Sequence, residues 1–308
     1  MDAGEVLFTS PVVLDNTRSA DEYKAKNIVK GYEEIGCDAI NIGGYDLAGG
    51  VKFLEEIMDS TEIPFISANL KHKTTGKLFS DPYVVIDRYP FKVGIIGLTN
   101  LLKDGNQKII MDDIYAAGNK YIKELKDKAD FIIMMVNADK NEKMAIQDKF
   151  SDADYIIMSR DITRTRKGQP LPANAPPAFC PGKQGKYMAL LELEVSDIDS
   201  PFVDESYYKK QIAHSERRLA NYQKKDPDRP LKEIYEENKA VYRQIVSMEN
   251  QLYQGRSIIA KAANKIRFDL IPMNSKIQDD PEMLAFVDGI LVKDKKLRES
   301  SYTPLFKK

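Results

Sequence analysis

The chain has 308 residues, with 46 lysines and arginines against 47 aspartates and glutamates, so its formal net charge is −1. This balance provides no basic field to attract nucleic acid, and we expect no nucleic-acid partner. The apolar fraction of 43% is typical of a globular protein. No apolar run reaches the roughly 18 residues of a membrane-spanning helix, and the first residues lack the pattern of a signal peptide.

Short apolar runs alternate with amphipathic segments over residues 1–197, which predicts an α/β domain with a layered, partly parallel sheet. We expect a hairpin within residues 83–98. The predicted strands are 5–8, 39–42, 65–68, 83–87, 92–98, 131–136, 155–158 and 186–195, and the predicted helices are 20–36, 49–58, 111–128 and 139–150.

Residues 198–308 are predicted to form a separate region, an α-helical hairpin followed by a C-terminal helix at 281–293 and a charged tail. The two hairpin helices, 203–224 and 231–266, are separated by Pro227 and Pro230. Apolar residues at heptad spacing define a seam on them. The seam packs either within the chain or on a partner, and the sequence leaves both open. Its members are Ile212, Leu219, Val241, Ile245, Met248, Leu252 and Ile259.

The chain has two cysteines, Cys37 and Cys180, without metal-type spacing, and a disulfide between them is left open. It also has two histidines. His72 lies in a polar turn and His214 on the predicted hairpin, so we expect both to be solvated rather than metal ligands.

Three stretches of the first region, at 39–50, 63–70 and 92–100, resemble the metallophosphoesterase domain of the 5'-nucleotidase family in order and spacing. This family belongs to the calcineurin-like phosphoesterases. The resemblance implies a layered metallophosphoesterase-like sandwich for residues 1–197. It also implies an exported or periplasmic protein, with the cytoplasm as the alternative.

The metal-binding motifs of that family are changed here. Its Gly-Asn-His-Glu is matched by residues 43–46, where Gly44 and Tyr45 replace the two metal-holding side chains. Its Asp-Ala-Gly-Asp is matched by residues 2–5, which end in Glu5. Asn137, Arg160 and Ile162 stand where the resemblance implies histidines. Arginine keeps its proton and repels a metal, so we expect no metal, no cofactor and no catalytic residue.

The altered positions should still cluster at the carboxyl ends of the strands, where open α/β sheets bind ligands. Three interpretations follow. Arg160 binds a small anion such as phosphate, or it pairs with Asp46 or Asp161 and fills the space, or three carboxylates hold Ca²⁺ or Mg²⁺. We favour pairing. The candidate pocket is Glu5, Gly44, Tyr45, Asp46, Asn137, Arg160 and Asp161.

The sequence thus predicts a non-catalytic 5'-nucleotidase-like protein that acts by binding or assembly. Its partner surface, for another protein or for self-association, would be the helical hairpin. The alternative is a metal-dependent phosphoesterase with a remodelled active site, in which Glu5, Asp46 or Asp161 would bind the metal.

Overall fold

The computed structural model describes residues 1–102, 108–160, 163–172, 174–183 and 185–300. The chain forms two compact units. The first comprises Met1–Arg164, Pro172–Lys186 and Met273–Lys308, and the second comprises Thr165–Leu171 and Tyr187–Pro272. The predicted boundary at residue 197 therefore lies inside the second unit.

The first unit is built on a five-stranded sheet of order β4-β5-β7-β8-β9, in which β4 is antiparallel to β5 and the other pairs are parallel. Two small sheets accompany it, β1 with β2 in parallel and β3 with β6 antiparallel. The strands are β1 (Ile40–Asn41), β2 (Phe65–Ile66), β3 (Leu70–His72), β4 (Tyr83–Arg88), β5 (Phe91–Thr99), β6 (Ile109–Met111), β7 (Phe131–Asn137), β8 (Tyr155–Ser159) and β9 (Ala178–Phe179).

Side chains that alternate along the central strands create the layers of this unit. Ile95 on β5 and Met135 on β7 pack with Ile66 of the β1–β2 sheet, whereas their neighbours Ile96 and Met134 face the opposite side of the five-stranded sheet. This period of two is the geometry of a strand buried on both faces. The helices cover the outer faces, which confirms the predicted layered α/β fold. They are α1 (Arg18–Glu34), α2 (Val51–Met58), α3 (Ile114–Leu125) and α4 (Lys143–Lys149).

The C-terminal helix, α8 (Pro281–Ser300), also belongs to the first unit, because it packs antiparallel on α1. Arg298 Nη2 donates to Asp21 Oδ1 at 2.8 Å, near the start of α1. At the other end, a Cβ added to Gly31 would lie 3.7 Å from the ring of Phe286. The helix is longer than the predicted 281–293.

The second unit holds a three-stranded sheet of order β10-β12-β11 and the helical hairpin. Its strands are β10 (Tyr187–Val195), β11 (Phe202–Asp204) and β12 (Asn264–Pro272), and its helices are α5 (Glu205–Gln223), α6 (Leu231–Ile234) and α7 (Lys239–Lys261). The predicted strand at 186–195 pairs with β12, which lies beyond the hairpin in sequence. Residues 187–195 therefore share a unit with the hairpin, unlike the predicted division.

The hairpin seam faces inward. Ile245 and Met248 are buried, and the other five seam residues are half-buried. The two helices approach closely, since a Cβ on Gly255 would lie 3.2 Å from Ile212 Cγ1. A side-chain ion pair also joins them, with Arg256 Nη2 at 2.6 Å from Glu216 Oε1. The heptad pattern thus records packing of α5 on α7 within the chain.

The predicted strand at residues 5–8 is absent. Glu5 has a φ of 69°, in the left-handed region, which interrupts an extended strand. The backbone N–H groups of Glu5 and Leu7 donate to the carboxylate of Asp46 instead of to a neighbouring strand.

The two cysteines are free, and the two histidines lie on a strand and a helix. Cys37 and Cys180 are not joined by a disulfide, and Cys180 is buried. His72 ends β3 and contacts the Phe79 ring edge-on, while His214 is exposed on α5. Among the described residues, no helix combines the length and apolar content needed to cross a bilayer.

The inward seam predicts that Ile245→Ala destabilises the second unit by about 2–5 kcal/mol, because it leaves a cavity in a closed contact. Ile258→Ala on the same helix is the matched control. Ile258 is 36% exposed whereas Ile245 is fully buried, so the change at Ile258 should cost less, on the order of 1 kcal/mol. Guanidinium unfolding of both variants measures the difference. If Ile245→Ala changed the oligomeric mass while its unfolding midpoint stayed constant, the seam would belong to a partner.

Candidate functional site

Polar residues line the carboxyl edge of the five-stranded sheet. Thr99, Asn137 and Ser159 end β5, β7 and β8 and lie directly opposite one another in register. Asn137 Oδ1 accepts from Thr99 Oγ1 at 3.0 Å, and Asn137 Nδ2 donates to Ser159 Oγ at 2.8 Å. Ser159 Oγ donates in turn to the carbonyl oxygen of Ala3 at 2.7 Å. A continuous hydrogen-bonded row therefore crosses the edge where such sheets bind ligands.

Asp46 lies in a 3₁₀ turn, Gly44–Leu47, and is fully buried. Its Oδ2 accepts from the N–H groups of Gly43 at 2.8 Å and Glu5 at 2.9 Å, and its Oδ1 accepts from Leu7 N–H at 2.9 Å. Three backbone donors thus converge on one carboxyl group. Asp46 anchors the loop at residues 4–7 to the 3₁₀ turn.

Arg160 and Glu5 form the charged centre of the site. Arg160 Nη1 lies 2.8 Å from both carboxylate oxygens of Glu5. Arg160 Nη2 donates to the Tyr45 hydroxyl, and the guanidinium carbon lies 4.1 Å from the centroid of the Tyr45 ring. The arginine is therefore held by an ion pair, a hydrogen bond and a cation–π contact at once.

Both members of this ion pair have left-handed backbones. Glu5 has a φ of 69° and Arg160 a φ of 71°, and among the described residues no other non-glycine residue has a positive φ. Such a conformation costs roughly 1–2 kcal/mol for a residue with a Cβ. The side-chain contacts of the pair offset that cost, so the unusual backbone and the ion pair depend on each other.

Glycines close the space around the pair. A Cβ on Gly43 would lie 2.6 Å from the nitrogen of Glu5, and one on Gly44 would lie 1.9 Å from the carbonyl oxygen of Leu101. Gly44 N–H also donates to Asn137 Oδ1 at 3.1 Å. The close backbone approach explains why two glycines stand here, and it leaves the site densely packed.

Burial sets the electrostatics of the two carboxyl groups. It raises the pKa of Asp46 to about 7, and the N–H donors of Leu7, Gly43 and Glu5 oppose that rise. Burial also raises the pKa of Glu5, whereas Arg160 and Asn137 act to lower it.

Six of the seven predicted pocket residues meet at this edge, and Asp161, like Ile162, lies outside the described residues. Arg160 was predicted to pair with Asp46 or Asp161. Asp46 is wrong, because backbone N–H groups occupy its carboxylate and Arg160 pairs with Glu5. The Asp161 alternative lies outside the described residues. Thr99 and Ser159 also belong to the site and were not predicted from the sequence. Both follow an apolar strand directly, as Asn137 does, and that shared position was the available signal.

The residues present do not fit the dinuclear metal centre that the fold family implies. Glu5 directs both oxygens at a guanidinium, and Asp46 directs its oxygens at backbone N–H groups. Asn137 Oδ1 already accepts two hydrogen bonds. Within the part of the chain that the structure describes, no three His, Cys, Asp or Glu side chains group as a metal site. No reaction step through a metal follows from these side chains.

Comparison with known proteins gives partial matches. No protein-family model matches the chain. The 5'-nucleotidase of Vibrio cholerae is 32% identical over 126 residues, which are 38% of this chain and 23% of that protein. The 2',3'-cyclic-nucleotide 2'-phosphodiesterase/3'-nucleotidase of Yersinia enterocolitica is 21% identical over 236 residues, 64% of this chain and 36% of that protein. The chain thus spans well under half the length of these relatives.

Solved structures match over almost the whole chain. The Thermus thermophilus sulfate thiohydrolase SoxB has a TM-score of 0.63 at 10% identity, covering 96% of this chain and 42% of that one. The calcineurin-like phosphoesterase YfkN of Bacillus subtilis has a TM-score of 0.56 at 17% identity, covering 97% of this chain and 84% of that one. At such identities the likeness shows the fold alone.

The raised pKa of Asp46 predicts a pH-dependent stability. Its folded pKa of about 7 lies above the unfolded value of about 3.9, so the folded protein binds the proton more tightly. This contribution is fully present below about pH 4 and is lost as the pH rises through about 7, with a slope of at most about 1.4 kcal/mol per pH unit. Unfolding free energies of wild type and Asp46→Asn, measured from pH 5 to 8, test this sign. The unfolding free energy of wild type minus that of Asp46→Asn should decrease as the pH rises from 5 to about 7. A constant or increasing value would contradict the raised pKa.

A double-mutant cycle with Glu5→Gln and Arg160→Met should give a coupling free energy of about 1–3 kcal/mol, because the pair is partly buried and Arg160 Nη1 contacts both carboxylate oxygens. Lys126 and Asp152 are the control pair, 2.7 Å apart with both side chains 52% exposed. For them we expect a smaller coupling, because solvent screens an exposed pair. Equal coupling free energies in the two cycles would show that the site pair stabilises the fold no more than an exposed ion pair does.

Proposed function

Because the chain is 5'-nucleotidase-like and has the metallophosphoesterase fold, we propose that it is a member that no longer hydrolyses phosphate esters and acts by binding or assembly. The observation that carries the proposal is the ion pair of Arg160 with Glu5 at the carboxyl edge of the sheet. A fixed positive charge stands at a position where the resemblance implies a metal ligand.

Metal-dependent hydrolysis requires two things of a site: side chains that hold the ion and an open position for an activated water. At this edge the oxygen donors of Glu5, Asp46 and Asn137 are engaged with protein groups. A metal at Glu5 would have to displace Arg160, leaving a partly buried guanidinium without its carboxylate, which is costly. These competing contacts support loss of the reaction.

For the binding role, we propose the outer face of the hairpin as the partner surface. The inner seam is occupied by packing of α5 on α7, so a partner would contact side chains that point away from it. Tyr253 on α7 is 76% exposed, and Glu249, Tyr253 and Arg256 are among the residues that line a shallow hollow there. Exposed tyrosine and arginine are the residue types most enriched at binding hot spots. By resemblance to exported nucleotidases, we also propose a periplasmic or exported location.

Elemental analysis after exposure to Mn²⁺, Zn²⁺, Ca²⁺ and Mg²⁺ tests the loss of the metal centre. We expect less than about 0.1 equivalent of any metal after gel filtration, and no hydrolysis of p-nitrophenyl phosphate or AMP above a no-enzyme blank. An active 5'-nucleotidase handled in parallel is the positive control. Stoichiometric metal with hydrolysis that Asp46→Ala abolishes would establish a remodelled phosphoesterase instead.

Photo-crosslinking tests the partner surface. Benzoylphenylalanine at Tyr253 should give a discrete adduct in cells of the source organism, because that side chain faces outward. The same group at Met144, which is 83% exposed on α4, is the matched control and should give none. Adducts at neither position would contradict the role of the hairpin.

A further inference from the structure

We draw no further inference here: the strongest candidate, the outer edge of β10 in the second unit, which among the described strands pairs only with β12, carries none because nothing in the structure shows what covers it.

Discussion

The ion pair between Arg160 and Glu5 is the constraint on which the site depends. It joins the end of β8 to the loop at residues 4–7, and both residues adopt left-handed backbones to make it. Tyr45 completes the contact from the 3₁₀ turn. Because these three segments come from distant parts of the chain, a single guanidinium links the elements that a catalytic site would use to hold metals.

The rest of the edge is organised around backbone and amide groups rather than around charge. Asp46 accepts hydrogen bonds from three backbone N–H groups. The side chains of Thr99, Asn137 and Ser159 form a hydrogen-bonded row across the sheet edge. Such contacts stabilise the loops without requiring a ligand, because each partner belongs to the chain. A phosphoesterase fold can thus be retained when the residues at its strand ends contact the loops instead of metal ions.

Secondary-structure elements that follow a local apolar period could be predicted from the sequence. Features that depend on contacts between distant segments could not. The central strands and the helices of the first unit follow their apolar patterns closely. The unit boundary was missed because β10 pairs with β12 across the whole hairpin, a pairing that no local pattern encodes. The six described pocket residues could be grouped because strand ends converge on one edge. The partner of Arg160 could not be predicted, since it depends on the left-handed turn at Glu5.

The most direct test of the central claim is a crystal structure of the protein soaked in Mn²⁺, with anomalous scattering recorded at the manganese edge. The account predicts no anomalous peak near Glu5, Asp46 or Asn137, and Arg160 in contact with Glu5 and Tyr45. A peak beside Glu5, with the guanidinium of Arg160 displaced from the carboxylate, would contradict it and would show that the ion pair is a gate over a working metal site.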